Sequence, residues 1–109
     1  MNPLQTHRNF VIPVVGQGVT MGIGSDCYPG TITWVSKKGD RIIVQHDKAE
    51  PAKGFDYYSN QVYDITPDQF GTLVAYSWRK RGVWAQKGAK KAVGYLSFNS
   101  RRKYSDPSF

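Results

Sequence analysis

The feature that most constrains this chain is Tyr28-Pro-Gly-Thr-Ile-Thr-Trp-Val-Ser-Lys-Lys-Gly-Asp-Arg-Ile-Ile-Val-Gln-His-Asp47, in which two β-branched runs flank one glycine. Such runs fit a pleated, half-buried surface, and the glycine between them marks a reversal of direction. Gly39 takes positive φ without strain, so the expected loop is Lys37, Lys38 and Gly39, a type I turn closed by a bulge. Side-chain parity tests that expectation. A three-residue loop sets Trp34 opposite Ile42 and Ile32 opposite Val44, gathering four apolar residues on one face. A two-residue loop sets Trp34 against Ile43 and scatters them. The stretch thus specifies its own register and leaves Lys37 and Lys38 at an exposed tip.

The same pattern recurs later. Thr72 to Arg79 alternates with Val74, Tyr76 and Trp78 on one face, then passes through Lys80-Arg81-Gly82 into Val83 to Lys87. A three-residue loop there places Trp78 opposite Trp84, an aromatic cross-strand pair. Ahead of the first hairpin, Val19, Met21 and Ile23 alternate with Thr20 and Gly22 between bracketing glycines, a strand with one apolar face. Further short strands are expected at Phe10 to Val15, on an edge because of Pro13, at Gln61 to Thr66, and at Tyr95 to Phe98. Residues 1–9 read as a flexible arm and 10–109 as one domain ending in a basic tail, 99–109. No long helical period appears. The expected fold is all-β, a small SH3-like barrel of five or six antiparallel strands, with an OB-type barrel as the alternative.

Charge is unevenly placed. Of the net +7, residues 1–69 contribute −1 and residues 70–109 contribute +8. A field of that kind attracts polyanions, although a basic surface also simply keeps a small domain soluble. The candidate phosphate-contacting and stacking residues are Lys37, Lys38 and Arg41 at one tip and Trp78, Arg79, Lys80, Arg81, Trp84 and Lys87 around the other, with Arg101, Arg102 and Lys103 in the tail. They form one basic rim only if the two tips share an end of the barrel. The Asp47 to Asn60 connection carries Phe55, Tyr57 and Tyr58, which either offer a platform to bases or close an open end of the core.

Chemistry is sparse. One cysteine, Cys27, permits no internal disulfide or cysteine-based zinc site, and the two histidines, His7 and His46, are too few for a metal hydrolase. Cys27 with His46 lacks an orienting group, and Gly-Gln-Gly at 16–18 lacks the third glycine and the following helix of a nucleotide loop. No enzyme, cofactor or small-molecule substrate is expected. The longest early apolar run, Phe10 to Val15, is far shorter than a membrane span or signal core, so a soluble, unexported chain is expected.

The order Gly18-Val-Thr, Tyr28-Pro-Gly-Thr-Ile, Val35, Gly39 and Ile42-Ile-Val resembles the opening strands of SH3-like barrels of the KOW and Tudor type. More closely, the chain resembles a group of small uncharacterised bacteriophage-encoded proteins. In the first half this rests on Gly18-Val-Thr, Ser25-Asp, Tyr28-Pro, Thr31-Ile, Val35-Ser, Gly39, Arg41-Ile, Val44-Gln and Asp47. The later matches are Asn60-Gln-Val-Tyr, Arg79-Lys, Gly82, Trp84 and Asp106-Pro-Ser-Phe. The resemblance implies action in the infected host cell or the virion and carries over no catalytic residue. Two roles remain open: non-specific nucleic-acid binding, and a structural or protein-interaction module, including a homo-oligomer.

Overall fold

The computed structural model describes residues 12–79, 83–87 and 95–107. They are all-β: β1 (Gly18–Ile23), β2 (Asp26–Val35), β3 (Arg41–His46), β4 (Lys48–Pro51), β5 (Tyr63–Thr66), β6 (Leu73–Arg79), β7 (Val83–Gln86) and β8 (Tyr95–Phe98). Six of them form one antiparallel sheet in the order β7-β6-β3-β2-β1-β8, and β4 pairs with β5 in a separate two-stranded lobe. The six-stranded sheet curls into a nearly closed small barrel. Its edge strands β7 and β8 approach without pairing, and the rings of Trp84 and Phe98, 5.9 Å apart, sit between them.

Parity explains the core. Val19 and Met21 from β1, Ile32 from β2, Ile42 and Val44 from β3, and Trp84 from β7 point inward and are buried. Each such aliphatic side chain contributes about 1.5–3 kcal/mol by leaving water. Trp78 stands opposite Trp84, with ring centroids 5.6 Å apart, as a three-residue connection requires.

The first hairpin differs from expectation at its tip. Ser36 N donates to Arg41 O (2.8 Å), so the loop holds four residues, Lys37 to Asp40. The fourth is drawn in by Ser36, whose hydroxyl donates to Asp40 Oδ1 (2.9 Å) while accepting from Arg41 N (3.0 Å). Gly39 does take positive φ, 76°. The extra residue is absorbed by a bulge: Ile32 pairs with Val44 as expected, but Trp34 pairs with Ile43 and Val35 with Ile42. Thr33 and Trp34 therefore share the outer face, Val35 takes the inward place expected of Trp34, and Trp34 is 45% exposed.

Other expectations are corrected as well. Residues 12–15 form no strand, and a turn joins Gln17 N to Val14 O (3.0 Å). Ile23, expected to share the apolar face of Val19 and Met21, is exposed at the end of β1. The long connection after Asp47 begins as β4, paired residue for residue with β5 from Lys48↔Thr66 to Pro51↔Tyr63.

The basic tail is a strap across the barrel as far as residue 107. After β8 it crosses the outer face of β1, where Arg102 N donates to Thr20 Oγ1 (3.1 Å) and the Ser100 hydroxyl lies 2.8 Å from it. It then reaches the far edge of β2, where Cys27 and Tyr104 exchange backbone hydrogen bonds of 2.9 and 3.0 Å. β1 is consequently buried on both faces. Gly18 allows the close approach of the strap, since a Cβ there would collide with the Arg101 side chain, and Gly22 makes room for the ring of its β8 partner Tyr95.

Candidate functional site

The cationic residues fall into two groups that are built differently. The first is the hairpin end. Because β3 and β6 are antiparallel, with Arg41 opposite Ser77, the start of β3 and the end of β6 lie together, and Trp78 N donates to Asp40 O (2.8 Å). Lys37, Lys38 and Arg41 are exposed there, beside half-buried Arg79. Lys80 and Arg81 lie outside the described residues. Trp78 packs against the core and Trp84, 8% exposed, belongs to it, so the expected stacking role of this pair does not fit its position.

The outward-facing rows of this sheet add what sequence parity missed. Trp34, Ile43 and Ala75 are successive cross-strand partners, and Lys87, whose N donates to Ala75 O (2.8 Å), continues the row with its side chain exposed. At strand spacings of about 4.8 Å the row runs roughly 14 Å from tryptophan to lysine. The next row toward the tip is Arg41 and Ser77, and it ends at Ala85, which is buried. Neither row contains an acid. Trp34 is the residue that apolar parity turned the wrong way; the signal for it was Ser36 with Asp40, a hydroxyl and a carboxylate able to lengthen the turn.

The strap forms the second group. Asp47, with a fully buried side chain, accepts Arg101 Nε at Oδ2 (3.0 Å) and the Thr31 hydroxyl at Oδ1 (2.7 Å), and Arg101 also donates to Thr31 Oγ1 (3.0 Å). The guanidinium is thereby engaged inside the fold. Lys103 Nζ donates to Ser105 Oγ (2.6 Å) and sits 4.6 Å from the Tyr28 ring centre and 5.9 Å from that of Tyr63. Arg102 is exposed. These residues line an open groove of about 210 Å³ against Gln61, Tyr63 and Ile65. Burial pushes the Tyr63 phenol above its ordinary range, with nearby Tyr57 adding to the shift. From Ser36 to Tyr28 along β2 is roughly 25 Å at about 3.3 Å per residue, so the strap and the tip do not merge into one rim.

The aromatic connection folds on itself. Asp56 and Asn60 bridge, Asp56 Oδ1 accepts from Tyr58 N (2.9 Å) and Ser59 N (3.2 Å), and Tyr57 packs edge-on to Tyr58 at 5.2 Å. Phe55 packs on Tyr63 at 5.2 Å. His46 is half-buried against Tyr28, and burial lowers its pKa while Asp47 opposes the shift. Cys27 is buried. Among the described residues no three His, Cys, Asp or Glu side chains group to hold a metal. No protein family, curated protein or solved structure matches the chain.

Proposed function

We propose that this protein binds nucleic acid without sequence specificity through the hairpin end and the adjoining outer face of β2, β3 and β6. The observation that carries the reading is the Arg41↔Ser77 register, which supports a common cationic surface drawn from both halves of the sequence. Phosphates are contacted by Lys37, Lys38, Arg41 and Arg79, and no helix among the described residues is available to read base edges in a groove. The resemblance to phage-encoded proteins fits a small binder acting in the infected cell or carried in the virion.

Titration of a labelled duplex over a range of salt concentrations tests it. If about five phosphates are neutralised, log affinity falls against log salt with a slope of about −4.5. Absence of binding at low salt to duplex and to single strand alike overturns the reading.

A structural or protein-interaction role is the second reading, favoured by Phe70, 86% exposed, and by Ile12, Val14 and Val15, all largely exposed. Light scattering separates the two: a discrete oligomer without nucleic acid supports the second, and a monomer that retains nucleic acid supports the first.

A further inference from the structure

Resting on that nucleic-acid reading, we infer that the ligand is single-stranded and that Trp34 is the platform on which a base stacks. The side chain stands on the outer face because the bulge places both Thr33 and Trp34 opposite Ile43, and it remains 45% exposed while Trp78 and Trp84 pack in or against the core.

Charge complementarity selects the occupant. Arg41 lies diagonally across the strand pair from Trp34, at a Cβ separation of roughly 7 Å, and its side chain makes no hydrogen bond or ion pair to the described residues. Lys87 closes the other end of the Trp34 row. An aromatic face flanked by a guanidinium and an ammonium, with no carboxylate between, suits a chain that alternates planar bases with phosphates. A duplex meets only half of this. Its phosphates reach the cations, but its bases are stacked on one another and present no face to an indole. Ile43 and Ala75, beside Trp34, extend the apolar floor without adding hydrogen-bonding groups, so the platform tolerates any base.

The test compares Trp34→Ala and Trp34→Phe with the unaltered protein on an oligothymidylate, an oligouridylate and a duplex of matched length, with thermal unfolding measured alongside. Trp34→Ala should weaken single-strand binding about tenfold or more, leave duplex affinity within about twofold, and leave the salt slope unchanged. Trp34→Phe should restore most of the lost affinity. The deoxy and ribo strands distinguish DNA from RNA. Equal losses on single strand and duplex, or none on either, overturn the platform while the nucleic-acid reading stands. If the unaltered protein binds neither form, both fall together.

Discussion

The strap and the hairpin end carry the same residue types and use them in opposite ways. In the strap, Arg101 lies against a carboxylate with no exposed surface, and Lys103 rests on tyrosine rings and a serine hydroxyl. At the hairpin end, Lys37 and Arg41 have exposed side chains on a turn and an outward-facing row. The lesson is that formal charge and available charge differ. The last forty residues hold most of the net charge, yet part of it is engaged in fastening the strap to the outside of the sheet, while the less basic first half supplies an exposed tip.

Substitutions break this contrast in graded steps. Arg101→Ala removes the partner of buried Asp47 and should cost about 3 kcal/mol, the lower end for a broken buried pair because the arginine side chain is itself about a third exposed. Thermal unfolding should register that as a fall in Tm of roughly 10–20 °C. Gly22→Ala is next: its methyl group meets the Tyr95 ring, and overpacking there should cost about 1–3 kcal/mol, read by urea denaturation. Replacing Lys37, Lys38 and Arg41 together by serine should change stability by less than about 1 kcal/mol, since the side chains are exposed. A triple variant that unfolds like Arg101→Ala would erase the distinction.

The smallest effect concerns pH. Burial holds His46 below its ordinary pKa in the folded protein, so the unfolded chain binds the proton more readily. The stability contributed by neutral His46 is complete above about pH 6.5 and is lost as pH falls through the lowered folded value. Tm should therefore drop slightly between about pH 7 and pH 5, and His46→Gln should remove that part of the decline.

Much of the barrel was legible because period-two alternation survives wherever one face is buried. Val74, Tyr76 and Trp78 announced β6, and the three-residue connection set Trp78 against Trp84. The first tip misled because its turn is closed by the Ser36 and Asp40 side chains, which apolar parity does not see. One residue gained in the turn is compensated by one residue at the bulge, and between the two Trp34 changes face. The strap was illegible for another reason: it has no apolar alternation and is held by hydroxyls, backbone groups and one ion pair. Its trace lies elsewhere, in Gly18 and Thr20, small residues on the second face of β1 where a crossing segment needs room.

The most direct measurement is the salt dependence of nucleic-acid affinity for two variants side by side: Lys37, Lys38 and Arg41 replaced by serine, and Arg102 with Lys103 replaced by serine. The account predicts that the first reduces the magnitude of the slope on duplex DNA by about 2.7, because roughly three phosphates are no longer neutralised, and that the second leaves it nearly unchanged. A slope untouched in the first variant and abolished in the second would place the nucleic acid on the strap and contradict the account.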